Sequence, residues 1–443
     1  MSNQADKMFA ALEGVWRSQG YGKILEIHSD HYVLYEETGI SCIPMYSGSL
    51  RELSQHYEDL VVSSRKQRFS VRRASGVSRV DFRRLKALPP TAELSRTRNP
   101  EDPEYNFEVF GRQFSENYAL FPLKGVAWEE AIDQARSRVS PETHPEILFA
   151  IMTTLLRPLR DGHIRMQTPW GHYNAGAKPA LYKRLEKELA SADDDREAGS
   201  YLSELLEMLY EVIHEDYLDN DVKHGGHRLV EWGRLDGHTG YLNIRAMAGQ
   251  SGKVGHPADD LVATERVMHR VLEDLGDLPY LVVDLRRNGG GYDGVALRFA
   301  SFLVDRKRLA FQKCARRGDG FTGQQAIYVT PADTGTYGGS LFILTSELTA
   351  SAAEIFVLSL LQHPSLTLIG EPTQGILSDT LERHLPNGWF LTLSNEIYRA
   401  CDGEIYEDVG IPPHVRIPFL GQKAREANRD MMLDRVLSLA KTR

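Results

Sequence analysis

From Gly240 onward, short apolar runs alternate with helical ones. GYLNIRAM, YLVVDLR, SLFILTS, LTLIGE and FLTLSNEIY read as buried or half-buried strands, with GVALRFASFLV and AAEIFVLSLLQ as helices between them. Strands separated by helices need crossover connections, so the pattern predicts an α/β layer with a partly parallel sheet. The preceding chain has a different texture. Residues 14–90 alternate β-rich runs (GKILEIHSD, HYVLYEE, LVVSSRK, FSVRRA, RVDFRRL) with Gly and Asp turns, which predicts a small sheet or barrel. Pro89, Pro90 and the polar RTRNPEDPEY then read as a linker. VAWEEAIDQARSRV and EILFAIMTTLLRPL carry apolar residues at helical spacing, and Gly162 in LRDGHIRM is a helix stop. Residues 178–232 read as mostly helical, broken by the acidic surface loop SADDDRE. The expected division is 1–92 β-rich, 93–176 helical, 177–235 a helical insert or lid, 236–420 the α/β core and 421–443 a C-terminal helix.

The bulk numbers narrow the function. A chain of 443 residues, 42% hydrophobic and 26% charged, is that of a folded protein of two or three domains. Its net charge of −9 gives no support for general binding to nucleic acid or anionic membranes. The N-terminus does not read as a signal peptide, and no apolar run approaches the roughly 20 residues of a membrane span. Cys42, Cys314 and Cys401, odd in number and far apart, suggest neither a disulfide framework nor a metal site. The expected setting is a reducing cytoplasm.

Two stretches could carry chemistry. In YLVVDLRRNGGGYDG (280–294), Gly289, Gly291 and Gly294 satisfy GxGxxG, and Asp305 lies downstream where a ribose-binding acid would stand. Against a dinucleotide site, Arg286, Arg287 and Asn288 separate strand from glycines, and the fingerprint falls in mid-chain. The same glycines permit an irregular turn whose N–H groups bind an anion, or a tight turn with no ligand.

The second stretch is LTASAAEIF. Ser351 with Glu354 fits a capping box. Equally, a serine between strand and helix can be a nucleophile, with the Ala352 N–H and the glycine turn stabilising charge on a carbonyl oxygen. The two readings agree on position and differ over whether a base reaches the hydroxyl, which is a poor nucleophile unaided. No lysine occurs between Lys313 and Lys423, so the base has to be a histidine. His163, beside Gly162 on an expected exposed turn, stands out among fifteen; His384 in LERHLPNG is the fallback. His224 and His227 in KHGGH resemble a metal pair only superficially, since HExxH is absent.

ENYALF, DGH (161–163), GYLNI (240–244), DLRRNGGG (284–291), TASAAEIF (349–356), GEPTQG (370–375), LPNGW (385–389) and EDVGIPP (407–413) occur in order over roughly residues 105–418. Together they resemble the tail-specific, or C-terminal-processing, serine peptidase family, in the branch with the tricorn core, whose base is histidine. The resemblance implies a mixed-sheet ClpP/crotonase-like α/β core. It makes Ser351 the nucleophile, His163 its base and Glu407 the acid orienting the imidazole. The N–H groups of Gly290 and Ala352 become the oxyanion hole, flanked by substrate-binding Gly289 and Gly291. Ile376 stands where the other branch carries its lysine. Gly162 replaces a relaying serine, so a water or Asp161 could serve there. No PDZ module is recognised.

The implied substrate is a peptide, with no cofactor, metal, nucleic acid or membrane partner, and with a homo-oligomer possible. A small amide or ester is the alternative substrate, and a non-catalytic ligand-binding protein, as among retinoid-binding relatives, the alternative class. The N-terminal strands lie outside the resemblance and suggest a lipocalin-like domain. Their arginine-rich SRKQRFSVRRASGVSRVDFRRLK is either the wet face of strands or a docking surface for an acidic substrate or another subunit.

Overall fold

The computed structural model describes residues 2–74 and 76–442. The chain forms two compact units, neither continuous in sequence. Met1–Ala177, Lys313–Gln325 and Ser378–Tyr398 make the first; Lys178–Gln312, Ala326–Leu377 and Arg399–Arg443 make the second.

The first unit opens with a seven-stranded antiparallel sheet. Its pairing order is Cys42–Ser49, His31–Glu37, Lys23–Ile27, Gly14–Ser18, Arg79–Leu85, Arg68–Arg73 and Tyr57–Val62. Alternation along the strands sets the faces: Val80 and Phe82 are buried while Asp81 and Arg83 are exposed. On one face Trp16, Phe69 and Phe82 cluster with Phe9, Leu50 and Leu53 of helices Ser2–Ala10 and Leu50–His56. Ile24, Tyr35 and Cys42 form a separate cluster with Ala92 of helix Pro90–Thr97.

A second layer of the same unit holds helices Pro103–Asn117, Trp128–Arg136 and Pro145–Leu156. They share one apolar core with a sheet ordered Thr380–His384, Phe390–Ser394, Arg165–Thr168, Gly171–Asn174. The apolar run Phe390–Ser394, grouped by sequence with the α/β strands, therefore belongs elsewhere. A tight turn in which the Leu385 N–H donates to Trp389 O at 2.9 Å folds it onto Thr380–His384, and its other edge pairs with Arg165–Thr168.

The second unit is the α/β layer. Its sheet is ordered Lys223–Gly225, Val230–Arg234, Thr239–Ile244, Tyr280–Asp284, Ser340–Thr345, Leu366–Gly370 and Val415–Arg416. The last five strands are mutually parallel and the first two antiparallel. Thr239–Ile244 is buried along its whole length, which is why its sequence does not alternate. The segment read as helical does supply helices Ala180–Ser191 and Ala198–Val212, but it ends in the hairpin of the first two strands. Leu181, Leu185 and Leu205 of these helices share a core with Tyr241, Val282 and Phe342 of the sheet.

Beyond Tyr280–Asp284 the chain is anchored by buried charge. Arg286 Nε donates to Asp284 Oδ1 at 2.9 Å, Arg286 Nη1 pairs with Asp430 Oδ2 at 2.7 Å, and Tyr241 O–H donates to Asp284 Oδ2 at 2.8 Å. Removing the guanidinium leaves two buried carboxylates facing each other's field. Arg286→Ala is expected to lower stability by about 3–5 kcal/mol, measured by urea unfolding; a loss within experimental error would mean that water replaces the pair.

Candidate active site

Three neighbouring parallel strands, Tyr280–Asp284, Ser340–Thr345 and Leu366–Gly370, release their chain at the same sheet end, where open α/β sheets hold ligands. The segment after the middle strand is pinned to the one before it. Ser346 Oγ donates to Arg286 O at 2.6 Å, Thr349 Oγ1 to Leu285 O at 2.9 Å and the Ala350 N–H to Asn288 O at 3.0 Å.

Ser351 comes next, capping helix Ala352–Leu360 with φ 54° and ψ −124°. Capping does not demand that backbone. Ser49 builds a capping box on helix Leu50–His56 with a relaxed φ of −72° and ψ of 157°. Holding a non-glycine residue in so sparsely populated a region costs about 1–3 kcal/mol. Strain of this kind is what aims a side chain out of a strand-to-helix turn.

Glu354 restrains that turn. It is fully buried, and its Oε2 accepts the N–H groups of Ser351 (3.0 Å) and Ile376 (2.9 Å). Its Oε1 accepts Thr373 Oγ1 (2.6 Å) and the Gly375 N–H (2.8 Å). Burial pushes the Glu354 carboxyl up to about 7, against the four donors, which favour its charged form. Sequence reading saw only the local half of this role, the capping box. The loop that Glu354 grips also meets the chain carrying Glu407: the Ile411 N–H donates to Thr373 Oγ1 at 2.7 Å and the Asp408 N–H to Gly375 O at 2.8 Å. Glu407 itself is buried, and its Oε2 accepts the Leu377 N–H at 3.0 Å.

The glycine turn lies against the serine. At Gly290 (φ 102°) a Cβ would stand 2.8 Å from both Ala350 O and Ser351 Cβ and 3.0 Å from Ala352 N, so only glycine fits. Gly291 is packed against the main chain of Met247, whose N–H donates to Gly290 O at 2.8 Å, while the Cβ direction of Gly289 is open. The Gly290 N–H, expected to point at substrate, donates instead to Asn288 Oδ1 at 2.9 Å. The Ala352 N–H heads its helix, where no intrahelical acceptor exists. Met247 fills the turn, and Asp305 is an exposed partner of Arg308 at 2.6 Å, so neither end of a dinucleotide site is present.

His163 belongs to the first unit. The expected exposed turn is in fact buried, because the chain passes at once into strand Arg165–Thr168 under the helical layer. Asp161 Oδ1 accepts the His163 main-chain N–H at 2.8 Å, and Thr392 Oγ1 donates to His163 O at 2.5 Å. Asp161 thus shapes the turn through the backbone. Burial pushes the imidazole down from its usual range, opposed by the charges of Asp161 and Asp379. Its Nδ1 is buried without a hydrogen-bond partner among the described residues.

The other candidates are engaged elsewhere. His384 Nδ1 lies 3.5 Å from Glu36 Oε1, and His224 Nδ1 lies 3.5 Å from Glu231 Oε1. His227 is exposed, and no metal-binding cluster of three or more His, Cys, Asp or Glu side chains exists among the described residues. Cys42, Cys314 and Cys401 form no disulfide among the described residues. No described helix is long and apolar enough to cross a membrane.

A strained serine heads a helix beside a glycine turn at the sheet's carboxyl end, a geometry that suits a nucleophile. Residues 238–417 match the model of peptidase family S41. That match covers the α/β part of the chain and supports a serine-type peptidase. Among solved structures, a candidate peptidase from Parabacteroides merdae is 22% identical with a TM-score of 0.61, over 77% of this chain and 97% of that one. Mature CPAF, solved with lactacystin, is 12% identical with a TM-score of 0.54, over 77% of this chain and 98% of its own. At these identities the likeness concerns the fold.

The Glu354 carboxyl makes stability depend on pH. Its folded-state value lies above the ordinary 4.5, so the folded chain holds this proton more tightly than the unfolded chain. Its contribution is therefore full below about 4.5 and is lost as pH rises to about 7. Thermal melting of wild type against Glu354→Gln should show a difference that changes across this window; parallel curves would refute the assignment.

Proposed function

We propose that this chain hydrolyses peptide bonds through an acyl-enzyme on Ser351, with His163 as general base and Glu407 as the acid that orients it. Ser351 Oγ bonds to the scissile carbonyl carbon as His163 takes its proton. The oxyanion is received by the Ala352 and Gly290 N–H groups. A full negative charge is a stronger acceptor than an amide oxygen, so it draws the Gly290 N–H away from Asn288. The C–N bond then breaks as His163 returns the proton to the leaving amine. Water, deprotonated by the same imidazole, cleaves the ester and frees the serine. Oligopeptides and unfolded chain ends are the substrates proposed.

The observation that carries this reading is the backbone of Ser351, strained where an ordinary cap in the same chain is relaxed. The ordered motifs and the family match support the remaining roles. A fluorophosphonate should leave an adduct on Ser351, mapped by mass spectrometry. Labelling should vanish in Ser351→Ala and slow by about 10³-fold or more in His163→Ala. Hydrolysis of a mixed peptide library should fall in parallel. An adduct on another residue, or labelling untouched by His163→Ala, would overturn the assignment.

A further inference from the structure

The first unit contains a second concave site, far larger than any substrate side chain needs. A cavity of about 1030 Å³ is lined by Arg17, Arg83, Arg84, Lys86, Arg316 and Arg317, against only two carboxylates, Glu37 and Glu116. Both acids already have partners. Glu37 pairs with Arg17 at 2.6 Å, and Glu116 accepts the Gly39 N–H at 2.9 and 3.1 Å. The surplus is positive, on a chain whose net charge is −9.

Arg84 serves the fold by donating to Glu13 O at 2.7 Å, but the strand pairing does not favour the rest of the arrangement. Cross-strand pairing sets Arg83 directly opposite Arg17 on one side and Arg68 on the other, a row of three like charges across neighbouring strands. Like charges in that register oppose folding. Arg68, Arg83 and Arg317 make no ion pair among the described residues, and Nε of both Arg17 and Arg316 is buried without a hydrogen-bond partner. Arg316 and Arg317 arrive from a segment more than 200 residues away from Arg83 and Arg84, so the concentration is not an accident of one arginine-rich stretch.

We propose that this cavity docks an acidic stretch of polypeptide. Guanidinium forks match carboxylates two bonds at a time. The volume lies at or above the upper end of the roughly 300–1,000 Å³ of drug-sized pockets, which suits an extended chain better than a single small anion. No aromatic side chain lines the cavity, so the stacking platforms that hold single-stranded nucleic acid are missing. The proposal concerns binding alone and stands apart from the chemistry at Ser351.

The test uses the full chain carrying Ser351→Ala, so that no probe is consumed. Fluorescence anisotropy compares labelled deca-glutamate, a neutral glycine–serine decamer and an oligothymidylate of equal charge. Deca-glutamate should bind tightest and weaken as salt rises from 50 to 200 mM. Arg83→Glu with Arg317→Glu, both at exposed positions, should weaken it by about tenfold or more without lowering the melting temperature, since the Arg83 reversal relieves the like-charge row. Lys86→Glu provides an independent single reversal, expected to weaken binding in the same direction. Deca-glutamate binding no better than the neutral decamer would overturn the proposal. So would binding unmoved by all three reversals, or oligothymidylate binding as tightly as deca-glutamate.

Discussion

One buried carboxylate organises the serine site. Glu354 takes an N–H from the strained turn at Ser351 and three donors from the loop that contains Thr373, Gly375 and Ile376. Burying a lone carboxylate costs several kcal/mol. Four hydrogen bonds offset much of this but not all, and the remainder leaves the proton balanced near neutrality. Protonation would turn one accepting oxygen into a donor, and one of four well-placed partners would lose its acceptor. The geometry around Ser351 is therefore linked to the protonation of a residue that touches no substrate. Its role is positional.

The strain at Ser351 persists because everything around it is over-determined. Three side-chain or main-chain bonds tie residues 346–350 to the segment leaving the neighbouring strand, and Gly290 leaves no room for the turn to relax toward it. Parallel strands make this economical. Their carboxyl ends emerge together, so three loops distant in sequence meet without long excursions. The two chains around Thr373 and Ile411 lock to each other in the same way, which fixes the segment bearing Glu407.

What the sequence revealed follows the range of the interactions involved. Strands Tyr280–Asp284, Ser340–Thr345 and Leu366–Gly370 were legible because burial on both faces writes itself as an unbroken apolar run. The placement of Ser351 between strand and helix was legible for the same local reason. The partner of Phe390–Ser394 was not, since Arg165–Thr168 lies more than 200 residues away and a strand's pattern does not name its neighbour. Glu354 was visible as a cap, while its grip on residues 373–376 depends on tertiary packing. Asn288 could have been found: an asparagine two residues before a glycine commonly accepts that N–H in a local turn. The burial of His163 could not, because strand Phe390–Ser394, whose Thr392 donates to His163 O, lies more than 200 residues away.

The proposal of a base from the first unit also draws on the histidines of the second. That unit holds eight histidines, and none is fully buried. His363 and His414 spend Nδ1 on the N–H groups of Ser365 and Leu368. His214 and His224 flank Glu231, and His256 lies beside Asp259. His238 precedes strand Thr239–Ile244, at the sheet end opposite Ser351, while His227 and His269 pack against Gly252 and Phe302. With no lysine between Lys313 and Lys423, the loops after Ser351 offer no amine either. A serine strained into a reactive turn by so many bonds gains nothing without a proton acceptor. In the first unit His384 faces Glu36 and His31 faces Asp30, whereas the ring of His163 is buried with Nδ1 unbonded among the described residues. These observations support the proposal that His163 serves as the base.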